Sequence, residues 1–187
     1  MKNLLEEIRR CEVCKAHLPL GANPIISASK DSKIILVSQA PGRLAHLHTK
    51  AWDDPSGRRL REWLGVNETT FYDPINFAVL PMGFCYPGKS ATGDLPPRSE
   101  CAPLWHAHVL NQLKKPQLFI LIGGYAQKAY LKDATTLTDR VKRMNDYLPN
   151  YLPLPHPSPV NHFWMRKNLW FETEKLPAIK RIIQDIL

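Results

Sequence analysis

No stretch of the sequence comes near the roughly 18 uninterrupted apolar residues that a membrane-spanning helix needs. The start, Met1-Lys2-Asn3-Leu4-Leu5-Glu6-Glu7, meets acid before any apolar run develops, so no secretory leader is expected. Both observations predict a cytoplasmic protein without membrane contact. Glycine is scarce, with 9 residues against 17 prolines. The loops are therefore expected to be stiff and proline-set. No G-x-G-x-x-G occurs, which excludes the dinucleotide fingerprint. No H-x-E occurs, and Cys11-Glu12-Val13-Cys14 lacks a preceding proline, which excludes the zinc deaminase signature. Lys15 stands where c-type haem attachment needs histidine. Only four cysteines are present, and a reducing compartment makes two disulfides unexpected. They are either buried thiols or metal ligands.

What is present fits one domain over residues 1–187. Hydrophobic residues at 44% and charged residues at 22% are enough for a packed core and exclude wholesale disorder. The formal net charge of +8 favours a polyanionic partner, of which nucleic acid is the commonest.

Apolar patterning predicts strands at 33–37, 77–80, 117–122 and 151–154. Helices are expected over 2–10, 56–64, from a Ser99 cap to about Leu113, from Ala126 onward, and over 173–187. Strands alternating with helices predict an α/β fold, a three-layer α/β/α sandwich around a mainly parallel four-stranded sheet.

Each predicted strand ends in a loop of unusual composition: Ser38-Gln39-Ala40-Pro41-Gly42, Pro81-Met82-Gly83-Phe84-Cys85, Gly123-Gly124 and Pro155-His156-Pro157-Ser158-Pro159. Open α/β sheets bind ligands at the carboxyl ends of their strands, so these loops are expected to surround one crevice. Three prolines would hold His156 in a narrow range of directions, and Ser158 with its neighbouring amides suits a phosphate; the segment reads equally as a rigid turn with an incidental histidine. The Pro41-Gly42 turn exposes backbone N–H groups. Asp54-Pro55-Ser56-Gly57 reads either as a helix cap or as a carboxylate beside a basic helix, placed to polarise water or stabilise a cation.

Cys11-x2-Cys14 can grip one metal centre, and Cys85 and Cys101 complete a set of four thiolates. A zinc site could instead recruit His17, His106 or His108.

In this order and spacing, the residues resemble the uracil-DNA glycosylase superfamily, nearest its four-cysteine iron–sulfur branches. The likeness runs from Cys11 to the carboxyl terminus. It rests on C-x2-C, a strand ending in Q-A-P-G, two cysteines flanking a proline-rich loop, a strand ending in Gly-Gly, and H-P-S-P. The resemblance implies a monomeric DNA glycosylase of base excision repair, with Cys11, Cys14, Cys85 and Cys101 holding a [4Fe–4S] cluster. His156 would donate to the departing base. Ala40, Pro41, Gly42 and Ser158 would line the substrate site. Residues 160–166 would take the place of the intercalating loop, with Met165 or Phe163 filling the vacated stack. Phe77 would stack on the extruded base. Gln39 stands where cluster-bearing relatives often have Glu, and Ala40 where the best-known branch has Asp. Asp54-Pro55-Ser56-Gly57 matches the D-x-S-G of one branch and makes Asp54 the expected catalytic carboxylate, with Gln39 assisting. No asparagine occurs in Phe77-Ala78-Val79-Leu80-Pro81, where the superfamily usually reads uracil.

The expected function is hydrolysis of the N-glycosidic bond of a flipped-out deaminated base, uracil or related. The alternatives are a non-catalytic DNA-binding or lesion-sensing relative, and an interaction module with structural zinc.

Overall fold

The computed structural model describes residues 1–91 and 93–187. Its amino-terminal half contains α1 (Lys2–Arg9), β1 (Ile34–Val37), α2 (Arg43–His48), α3 (Pro55–Leu64), α4 (Glu68–Tyr72), β2 (Phe77–Val79), β3 (Lys89–Ser90) and β4 (Gly93–Asp94). There follow α5 (Cys101–Leu110), β5 (Leu118–Ile122), α6 (Gly123–Tyr130), α7 (Leu137–Lys142), β6 (Tyr151–Leu154), α8 (His162–Lys167) and α9 (Leu176–Ile186).

β2, β1, β5 and β6 lie side by side in that order, all parallel. The side chains of β1 alternate between two cores, as a strand with both faces covered requires. Ile34 and Leu36 join Leu60, Trp63, Val141, Ile179 and Ile183, so α3, α7 and α9 cover that face. Ile35 and Val37 join Leu5, Ile8, Trp105, Val109 and Ala126, so α1, α5 and α6 cover the other. The result is the three-layer α/β/α arrangement. All four β1 side chains are fully buried, each worth about 1.5–3 kcal/mol by transfer arithmetic.

The chain leaves β1 toward β2 and leaves β5 toward β6, in opposite directions along the sheet. The loops after these two central strands therefore part and open a crevice at their carboxyl ends. Backbone pairing continues into it: Met82 N–H donates to Ser38 O at 2.7 Å and Gly83 N–H to Gln39 O at 3.0 Å.

Several boundaries differ from expectation. α5 begins at Cys101 without a side-chain cap, and the Ser99 hydroxyl turns instead to Glu100 at 3.2 Å. α6 begins at the glycines rather than at Ala126, because Gly123 makes the strand-to-helix turn at φ 82, a left-handed value glycine adopts without strain. Before α9 the chain forms a wider π-helical turn, Phe171–Lys175, where Pro177 supplies no N–H for a regular α-helical bond. The short helices α2, α4, α7 and α8 and the β3–β4 ribbon escaped prediction because none is long enough to show a period. No helix among the described residues is long and apolar enough to cross a membrane.

Candidate active site

The loop after β1, the start of α3, the β3–β4 ribbon and the loop after β6 enclose one cavity of about 360 Å³. That volume falls within the range of small-ligand sites, about 300–1,000 Å³. Gln39, Ala40, Pro41, Gly42, Asp54, His156 and Ser158 all line it.

Asp54 is both helix cap and cavity wall. Its Oδ1 accepts a hydrogen bond from Gly57 N–H at 2.7 Å, and Pro55 occupies the first turn of α3. Gly57 is required for a different reason. A Cβ there would lie 1.8 Å from the Trp52 carbonyl oxygen, so only glycine lets the 49–54 turn close onto α3. Trp52 itself takes a left-handed φ of 59 and lines the cavity, its ring centroid 5.9 Å from that of His156.

His156 is held from two directions. Its Nδ1 accepts the Ser158 N–H at 3.1 Å, and its carbonyl accepts Asn161 Nδ2 at 3.0 Å. An Nδ1 that accepts leaves the proton of the neutral ring on Nε2, which becomes the donor. Burial pushes the imidazole below its usual pKa, against the opposing pull of the Asp54 charge. Arg59 of α3 reaches the Pro157 carbonyl at 3.5 Å, tying the H-P-S-P loop to the basic helix.

Gln39 donates its side-chain amide to the Leu95 carbonyl at 2.8 Å. This fixes the Leu95 backbone beside the cavity-lining Asp94 and uses one of the two Gln39 donors. Sequence reasoning missed Asp94. Asp94 ends a two-residue strand with no hydrophobic period to mark it. Burial pushes its carboxyl above the usual range; Lys89 opposes the shift and Asp54 adds to it.

Two expected residues lie elsewhere. Phe77 opens β2, at the end of the strand away from the cavity, and packs on Phe71 with ring centroids 5.5 Å apart. It is fully buried in the core, so Val79 and Pro81, farther along the chain, reach the cavity instead. Met165 lies on α8 and packs against the core with Trp164, because 160–166 is a turn followed by a helix rather than an open loop. The exposed apolar side chains there are Val160, which lines the cavity, and Phe163, which carries the Arg166 guanidinium at 4.9 Å from its ring centroid.

Cys11, Cys14, Cys85 and Cys101 line one small apolar pocket with Leu18, Ala22, Phe84 and Trp105. All four are free, and only Cys11 is more than slightly exposed. Burial pushes Cys85 and Cys101 up to about 11. The Asn23 and Phe84 backbones act against this rise at Cys85 and Cys101, and Cys14 acts on the Arg98 guanidinium. Trp105 Nε1 is buried without a partner among the described residues. Thiols supplied with N–H donors in an apolar pocket suit a sulfur-ligated iron cluster. Among the described residues no three Cys, His, Asp or Glu side chains are grouped to hold a single metal ion. His17 and His108 are exposed, and His106 instead bonds Tyr130 and the Pro81 carbonyl, each at 2.9 Å.

Gly83 to Ser90 spells G-x-x-x-x-G-K-S, the pattern of a phosphate-binding loop. That function needs a helix N-terminus directly after the loop. Here the segment runs into the β3–β4 ribbon and contains buried Cys85, so the match is coincidental.

Residues 26–180 match the family model described as the Uracil DNA glycosylase superfamily.

Proposed function

We propose that this chain, which belongs to the uracil DNA glycosylase superfamily, hydrolyses the C1′–N bond of a deaminated base flipped out of DNA. The observation that carries the reading is the convergence of Gln39, Asp54 and His156 on one cavity of nucleobase scale, with His156 oriented as an Nε2–H donor.

Extruding the base costs a few kcal/mol, least at a mispaired lesion. As the glycosidic bond lengthens, the sugar gains positive charge and the base negative charge. The Asp54 carboxylate, anchored by Gly57, stabilises the cation and polarises the attacking water. The neutral His156 ring donates Nε2–H to the base oxygen that takes up the charge, without first having to lose a proton. Gln39 holds the Leu95 backbone in place, next to Asp94 at the cavity wall. The net charge of +8 serves the phosphates. Val160, on the rim, is placed to enter the vacated stack.

The four cysteines would hold a [4Fe–4S] cluster, which ties the amino-terminal segment to the start of α5. Zinc on the same four cysteines is the alternative reading.

A second reading, a lesion-binding module without catalysis, is favoured by the absence of asparagine on β2. Duplexes carrying uracil, hypoxanthine or xanthine separate the two. Abasic sites from at least one duplex support the enzyme. Salt-sensitive binding with no abasic product from any supports the module.

A further inference from the structure

We propose that Asp94 is a second catalytic carboxylate of this site, the general base that takes the proton of the attacking water. The inference rests on the glycosylase reading above and divides the labour between two acids.

Asp54 and Asp94 reach the cavity from different elements, one at the start of α3 and the other at the end of β4. They converge over Gly42. A Cβ built there would lie 3.6 Å from Asp54 Oδ2 and 3.8 Å from Asp94 Oδ2. The missing side chain at Gly42 leaves room between the two carboxyl groups, where a water or the sugar can sit.

Their surroundings differ. Asp54 Oδ1 is occupied by the Gly57 amide. Asp94 accepts no hydrogen bond from any described side chain, and three charged or titratable neighbours bear on it: Lys89 opposite in the ribbon, Tyr86 and Asp54; Arg43 of α2 acts on Tyr86. Burial and the Asp54 charge raise the proton affinity of Asp94, and Lys89 only partly offsets this. A carboxylate with raised proton affinity is the better base, and a pair of acids in unlike environments divides into roles.

Water oxygen bonds to C1′ while the C1′–N bond breaks, its electron pair leaving with the base. One water proton passes to Asp94. The anionic base is held by His156 Nε2–H and later takes up a proton from solvent. Asp54 gives or takes no proton and stabilises the sugar cation.

The test is single-turnover release of uracil, hypoxanthine and xanthine from duplexes across the acid and neutral pH range. It compares wild type, Asp94→Asn and Asp94→Ala, with DNA affinity and thermal midpoint measured alongside. Asp94→Asn should lower release about 100- to 10,000-fold without weakening DNA binding. The acid limb set by Asp94 should vanish from its pH profile. Added formate should partly restore Asp94→Ala, which a purely structural role would not allow. If wild type releases base, and Asp94→Asn releases it within threefold with the same pH profile, the Asp94 assignment falls while the glycosylase reading stands. If wild type releases no base from any duplex, both fall.

Discussion

The Asp54 carboxylate accepts the Gly57 amide hydrogen at 2.7 Å while its other oxygen faces the cavity over Gly42. One side chain thus starts a helix and points a negative charge at the place where a sugar cation would form. The two readings of Asp54-Pro55-Ser56-Gly57, cap and functional carboxylate, are compatible. The cap is what aims the carboxylate.

Substitutions at Asp54 can separate these duties. Asp54→Asn keeps a side-chain oxygen for the Gly57 amide and should leave stability nearly unchanged, while base release falls at least tenfold. Asp54→Ala should also lose about 0.5–2 kcal/mol of stability through the missing cap. Denaturant midpoints beside single-turnover rates check both expectations. Equal release by wild type and Asp54→Asn would remove the carboxylate from the mechanism.

Gly57→Ala should be among the most damaging small substitutions in the chain. The new Cβ would fall 1.8 Å from the Trp52 carbonyl oxygen, a backbone atom that can move only by opening the 49–54 turn. A loss of about 1–3 kcal/mol is expected, typical of overpacking, together with displacement of Trp52 and Asp54 from the cavity. Thermal unfolding and tryptophan fluorescence report the two effects.

The pH behaviour of His156 has a definite sign. Burial lowers its pKa and the Asp54 charge opposes that shift, so Asp54→Asn should lower it further. The unfolded chain, with an ordinary histidine, binds the proton more readily. His156 therefore costs stability as pH falls below the unfolded value of about 6.5, with the full cost reached below its folded pKa. NMR titration of the imidazole in wild type and Asp54→Asn measures the shift directly. A rise in Asp54→Asn would contradict the electrostatic account.

The cysteine pocket predicts a coloured protein. Purified without air, the chain should carry about four irons and four sulfides. Serine at any one of Cys11, Cys14, Cys85 or Cys101 should lower iron content and visible absorbance together. One zinc per chain, with no iron under iron-replete expression, would instead establish the zinc alternative.

Much of this site was legible because its residues carry their own backbone constraints. Pro41, Pro155, Pro157 and Pro159 flag stiff loops, and the apolar runs Ile34–Val37 and Leu118–Ile122 fix where strands end and loops begin. The carboxyl-end rule then gathers Gln39 and His156 without any contact being known. The same rule, applied to the order of residues within β2, would have placed Phe77 away from the crevice. Met165 was misplaced because a two-turn helix gives too few residues to reveal which face turns inward. Asp94 and Trp52 were hidden for another reason. A ribbon of two-residue strands and a left-handed residue leave no periodic trace in the sequence.

The most direct test of the central claim is single-turnover base release by wild type and His156→Ala on the same lesion-bearing duplex, with DNA affinity measured in parallel. A fall of about 100- to 1,000-fold in release at unchanged affinity is predicted, the usual consequence of losing a donor to developing negative charge. Equal release by the two proteins would contradict the account, because base departure would then not depend on the group that the cavity holds in place for it.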